Sequence, residues 1–267
     1  MGFFTLHQLA FVFGLLGNIV SFLVFLAPVP TFYTIWKKKT SEGFQSLPYV
    51  IALSSAMLLL YYGFIKERAY LIISINSIGC AIEVTYLIFY IIYAPRREKI
   101  FTMKLILFFN IGSYASMMIL TNLLLDGPKR VAAIGWTCAA FNIGVFAAPL
   151  SIMRHVVRTR SVEYMPFTLS FFLTLCATMW FFYGLFVKDL FIAAPNVLGF
   201  SFGIAQMTLY VIYKDASKDV ATKTMQPKEG ADVQLRSMEM GVHQQETKDN
   251  KLFIYNKPTE SNQNNIV

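Results

Sequence analysis

Charge is scarce in this chain. Of its 267 residues only 14% are Asp, Glu, Lys or Arg, whereas a soluble domain carries about 25%. The shortage is also uneven. Residues 9–36, 46–65, 71–94, 102–125, 131–153, 165–187 and 190–213 are runs nearly free of charge, each at or above the roughly 20 residues that a spanning helix needs. None carries the polar stripe of a surface helix, so a soluble helical core is set aside. The first run lacks a basic leader, is too long for the apolar core of a secretory signal and recurs later, so it is expected to be a span. Cysteine is scarce too. Cys80, Cys138 and Cys176 all fall inside apolar runs, which suggests no disulfide framework or zinc spacing and leaves them as small buried residues. His7, His155 and His243 are scattered. With no nucleophile, base or metal constellation, neither an enzyme nor a cofactor is expected. There is no Asn-x-Ser/Thr site.

Seven spans place the termini on opposite sides. Lys37, Lys38, Lys39, Arg96, Arg97, Lys99, Lys104, Arg154, Arg158 and Arg160 lie on one side; Lys66, Arg68, Lys129, Arg130 and Lys188 lie on the other. The richer side reads as cytoplasmic, so the N-terminus is expected outside and the C-terminus inside. The tail balances eight basic against eight acidic residues, which leaves the formal +8 wholly on the membrane part. That charge suits anionic lipid head groups, not nucleic acid. The tail is polar and rich in Gln, Asn and Lys, and is expected to be disordered and cytoplasmic over 216–267.

What the chain does have is an echo. VFLAPVPTFYTIWKKK at 24–39 returns as VFAAPLSIMRHVVRTR from 145, with Pro149 121 positions after Pro28. Asn76, Gly79, Tyr90 and Tyr93 return 120 positions on as Asn196, Gly199, Tyr210 and Tyr213; Tyr62-Gly63 returns as Tyr183-Gly184, and Pro166 answers Pro48. Two copies of a three-helix unit follow. Both carry the basic patch after their first helix, so both should start on the same side, and a single extra span must return the chain. The expected architecture is an all-α membrane protein of seven helices in a 3+1+3 arrangement of parallel repeats. Its parts are an extracellular N-terminus at 1–8, repeats at 9–98 and 131–215, and a linker helix at 99–130.

The repeated residues invite a function. Prolines near one end of the first two helices of each copy either set static kinks or give the helices two workable arrangements that close a path. An asparagine in the third helix of each copy either bonds between helices or offers donors and an acceptor to a neutral, hydroxyl-rich solute. Seven helices also fit a receptor, but receptors do not show this internal repeat.

The pairing of FLAPVPTF…KKKTSEGFQSLPYV with FAAPLSIM…VVRTRSVEYMPF resembles the plant SWEET (MtN3/saliva) sugar transporters over residues 7 to about 215. VFAAPLSIMRHVVRTRSVEYMPF is especially similar to the sucrose-type members. The resemblance implies parallel repeats and facilitated, bidirectional uniport of sucrose or hexoses across the plasma membrane by alternating access, with homo- or hetero-oligomers. It implies an intracellular gate of Pro28, Pro48, Pro149 and Pro166, and an extracellular gate of Tyr62, Tyr183 and Asp189. It implies a sugar site of Asn76, Asn196, Trp180, Ser21, Ser55, Asn142, Val145 and Cys176, with Leu59 as the repeat partner of Trp180. Leu59, Asn142 and Cys176 depart from a common pattern of tryptophan, serine and serine, which bears on sugar selectivity. Glu83 is the one acid in the middle of a span, and an intramembrane carboxylate is a functional group by default. The alternative reading is therefore a proton-coupled carrier of another small solute with Glu83 as its proton site. Against it, Gly203 stands at the matching place in the second copy.

Overall fold

The structure, a computed structural model, describes residues 5–162 and 165–225. They are nearly all helical, and seven helical segments are long and apolar enough to cross a membrane: Leu6–Lys38, Leu47–Ile65, Tyr70–Tyr93, Arg96–Leu124, Gly127–Thr159, Phe167–Phe186 and Leu190–Asp215. All seven belong to the compact unit Met1–Ser217. The expected tail from 216 is helical at its start, since the last helix runs to Met225; residues 226–267, like 1–4, lie outside the described residues.

Two of the segments are broken inside. The first consists of α1 (Leu6–Leu26) and α2 (Val29–Lys38). Pro28 cannot donate, and its ring crowds the Val24 carbonyl. That carbonyl instead accepts from the Ala27 amide at 3.1 Å, a tightened last turn. The fifth segment breaks at Phe146, between α7 (Gly127–Val145) and α8 (Ala147–Thr159). Pro149 would crowd the Val145 carbonyl, and the turn before it tightens in the same way, Phe146 N–H to Ile143 C=O at 3.1 Å. The two outer pieces end alike: Lys39 and Arg160, 121 positions apart, are left-handed helix caps at φ 56° and 53°.

The other two prolines differ from the expectation of four bends. Pro48 is in the first turn of α3 (Leu47–Ile65), and Pro166 precedes α9 (Phe167–Phe186). A helix start has no use for the missing N–H, so these prolines begin helices without bending them. Conversely, Pro195 lies inside α10 (Leu190–Met225). The fourth segment also holds a surprise. Between α5 (Arg96–Leu105) and α6 (Tyr114–Leu124) the backbone is π-helical over Ile106–Ser113. Buried Asn110 of that stretch donates to Ser54 Oγ at 3.1 Å, and Thr102 donates to Ser46 Oγ at 2.7 Å, so this span is fastened to α3.

Helix α1 packs against α9 and against α4 (Tyr70–Tyr93), while α3 packs against α4 and α7. One core gathers Tyr61, Tyr62, Ile72, Ile134, Cys138, Tyr183 and Ile192. Two others sit beside the outer pieces: Phe32, Ile35 and Tyr90 beside α2, and Met153 and Val156, with half-buried Tyr210, beside α8. These are residues 120 or 121 apart. The first cluster is aromatic, with Phe32 stacked on Tyr86 at 4.4 Å; the second carries methionine where the first has phenylalanine.

Candidate functional site

A cavity of about 860 Å³ lies among α1, α3, α4, α7, α9 and α10. Asn76 and Asn196 are both in its wall. Each amide nitrogen donates to its own helix, Asn76 Nδ2 to the Ile72 carbonyl at 2.8 Å and Asn196 Nδ2 to the Ile192 carbonyl at 2.7 Å. The carbonyls are also 120 positions apart. Each bond fixes a side chain and leaves one N–H and the Oδ1 acceptor for whatever enters. Among the described residues neither amide bonds to another helix.

Four of the other candidate positions, two from each repeat, make matched contacts. Ser55 Oγ donates to Asn142 Oδ1 at 2.8 Å, joining α3 to α7, and Ser21 Oγ lies 3.1 Å from Cys176 Sγ, joining α1 to α9. Positions 21 and 142, and 55 and 176, are each 121 apart, so this is one contact made twice. Ser21, Ser55, Asn142, Val145, Leu59 and Trp180 all line the cavity. Cys176 does not; it stands behind Ser21. The Trp180 indole donates its only N–H to Ser21 Oγ at 2.9 Å and meets the Tyr183 ring edge-on at 5.3 Å. Its face is left for apolar contact. At the repeat-related place Leu59 offers no such face.

One helical turn beyond Leu59 and Trp180, side chains of α3 join the residue that starts α10. Tyr62 Oη donates to Asp189 Oδ2 at 2.9 Å, and Lys66 forms an ion pair with the same oxygen and donates to Tyr62 Oη at 3.2 Å. Asp189 Oδ1 accepts from the backbone of Phe191 at 3.0 Å and of Ile192 at 3.3 Å, capping α10. Asp189 is 2% exposed and Tyr62 1%. This carboxylate is buried with four partners. Tyr183 is buried beside it, against Trp180. Sequence reasoning counted Lys66 only as a loop charge.

The cavity runs the other way to Leu47, Pro48, Ala147 and Ala148. Of the four matched prolines only Pro48 is in its wall; Pro28 and Pro149 belong to the two helix breaks, and Pro166 to the start of α9. Pro195, which has no repeat partner, also lines it. So do Phe25 and Phe146, the phenylalanines of the repeated V-F-x-A-P. Each rests on a glycine. A Cβ on Gly79 would lie 2.5 Å from Phe25 Cζ, and one on Gly199 would lie 3.3 Å from Phe146 Cζ. Glu83 is 4% exposed and is not in the wall; its Oε2 has no hydrogen-bond partner among the described residues. No group of three His, Cys, Asp or Glu suited to a metal occurs among the described residues.

The sequence profile of one family, described as sugar efflux transporter for intercellular exchange, matches twice, at residues 11–98 and 132–218. The chain is 62% identical over 216 residues to the bidirectional sugar transporter SWEET9 of Arabidopsis thaliana, covering 81% of this chain and 84% of that one. It is 59% identical over 232 residues to the bidirectional sugar transporter NEC1 of Petunia hybrida, covering 85% and 87%. A solved structure, that of a eukaryotic SWEET transporter at 3.7 Å resolution, is similar at a TM-score of 0.75 and 34% identity, covering 79% of this chain and 99% of that one. The chain belongs to the MtN3/saliva family, the SWEET transporters.

Proposed function

We propose that this protein carries sugars, sucrose or hexoses, across the plasma membrane in either direction, as a uniporter working by alternating access. The observation that carries the reading is the pair of asparagines, 120 positions apart, each locked to its own helix with hydrogen-bonding capacity left for the cavity. A neutral, hydroxyl-rich solute satisfies such groups, and it does not require a counter-ion that the wall lacks. Trp180 supplies the apolar face of the site, and Ser21, Ser55, Asn142, Val145 and Leu59 its remaining wall, with Cys176 supporting Ser21.

The two matches of the family profile, with the span Arg96–Leu124 between them, support a 3+1+3 arrangement of parallel repeats. On this reading Tyr62, Tyr183 and Asp189 close the extracellular end, with Lys66 completing them. The hinges at Pro28 and Pro149 and the helix starts at Pro48 and Pro166 work the intracellular end. The excess of basic residues sets the N-terminus outside and the C-terminus inside. The protein works within homo- or hetero-oligomers, each chain holding its own path. No observation favours proton coupling through Glu83, which stands outside the cavity wall.

The test is sugar uptake by cells expressing Asn76→Ala or Asn196→Ala. Both variants are expected at the membrane without transport. Normal transport by both would refute the binding site.

A further inference from the structure

We infer that Gly17 of α1 is a positioning residue for sugar recognition: it is the seat that sets how far the Trp180 ring stands into the cavity. The inference rests on the proposed role of Trp180 as the sugar platform. A Cβ built on Gly17 would lie 3.1 Å from Trp180 Cε2, 3.2 Å from Nε1 and 3.4 Å from Cδ2. The indole edge therefore occupies the space that any other residue at 17 would fill. One turn along the same face of α1, Ser21 Oγ holds the indole N–H at 2.9 Å. One turn the other way, a Cβ on Gly14 would lie 2.7 Å from Tyr183 Cδ2. Two rings of α9 thus rest on two glycines of α1, and the rings touch each other edge-on.

This makes the depth of the platform a property of α1. The serine fixes where the ring's N–H points; the glycine fixes how close the ring lies. A methyl at 17 is closer than ordinary contact allows, and a retreat of α1 from α9 would also open the Gly14–Tyr183 contact on the same face and press Gly14 toward its neighbours on other helices, Leu71 of α4 among them. The ring must give by a few tenths of an ångström, and the side left open to it is the cavity. A shift of that size changes the fit of a sugar face, because dispersion contact falls steeply with a gap or a clash of this order. Leu59, at the matching place in the first repeat, is not an aromatic ring that could compensate.

The test is Gly17→Ala in the full chain, reconstituted into liposomes, with KM and maximal flux for sucrose and for glucose measured beside the parent. The expected result is a change in KM of roughly threefold or more, unequal for the two sugars, with flux per folded molecule largely kept. A purely structural glycine would lower the amount of folded protein and leave both KM values alone, and that result overturns the inference. The same substitution made on Trp180→Phe is expected to leave KM at the Trp180→Phe value, since the smaller ring no longer needs the seat; a further change there also overturns it. Should Gly17→Ala fail to fold, recovery of folding in the Gly17→Ala, Trp180→Phe double variant supports the contact, and continued failure refutes it. Absence of sugar transport by the parent would sink the proposed function instead. The seat is then read without sugar, in protein with Trp36→Phe and Trp136→Phe. Its single remaining tryptophan is expected to shift in emission on Gly17→Ala, and an unshifted spectrum refutes the inference.

Discussion

Replacing Tyr62 by phenylalanine deletes its hydrogen bond to the buried Asp189 carboxylate, together with the one its hydroxyl accepts from Lys66, and keeps the ring that packs on Phe191 at 6.3 Å. A hydrogen bond to a charged group is worth about 1.5–3 kcal/mol. If this end is the proposed extracellular gate, opening it separates α3, which carries Tyr62, from the start of α10, where Asp189 lies, and so breaks this bond. Its loss therefore weighs on the closed state alone, and at about 1.4 kcal/mol per tenfold it shifts the balance toward opening by about 10- to 150-fold. Lys66 remains paired with Asp189, and the α10 cap survives, which argues for the lower part of that range. The assay is a thiol at the bottom of the cavity. Leu59→Cys is placed in a chain whose Cys80, Cys138 and Cys176 are replaced by serine or alanine, and a membrane-impermeant thiol reagent is added on the Tyr62 side. Labelling is expected to be about tenfold faster or more with Tyr62→Phe than without. Equal labelling rates would show that this bond does not hold the end shut.

Other perturbations give graded outcomes. Gly79→Ala should lower the melting temperature in detergent more than Gly199→Ala. Its Cβ meets Phe25 at 2.5 Å whereas the other meets Phe146 at 3.3 Å, and overpacking costs about 1–3 kcal/mol. Asn110→Ala removes the donor to Ser54 that fastens the π-helical stretch to α3; a loss of about 1 kcal/mol should appear as a lower melting temperature, with KM for sugar unchanged. Glu83→Gln keeps the shape of a carboxylate outside the cavity wall, so sugar flux should persist; abolished flux with intact surface expression would restore the proton-site reading.

Much of the site was legible because the chain states it twice. The 120- and 121-residue offsets that link Asn76 with Asn196 and Leu59 with Trp180 are the offsets at which the cavity wall is built, down to the crossed contacts Ser21–Cys176 and Ser55–Asn142. What a repeat cannot reveal is what only one copy has. Pro195 has no partner in the first copy, and its place in the cavity wall was not foreseen. Lys66 looked like any basic loop residue, and only the fold brings it to Asp189, 123 positions away. The burial of Asp189 itself is equally hidden in the sequence, since burial at a helix start depends on the helices around it. The π-helical stretch leaves no mark in hydropathy, because its residues are as apolar as any span. Phe25 and Phe146 stand within the repeated V-F-x-A-P, but nothing in that motif shows that their rings, rather than its prolines, face the cavity.

The central claim is passive sugar transport, and the most direct measurement is uptake of labelled sucrose and glucose by cells expressing this chain, with and without a protonophore, followed by efflux from preloaded cells. The account predicts uptake that the protonophore leaves unchanged and efflux through the same protein, with the ratio of the two sugars reporting what Leu59, Asn142 and Cys176 do. Uptake that collapses with the protonophore would contradict the account and turn attention to Glu83.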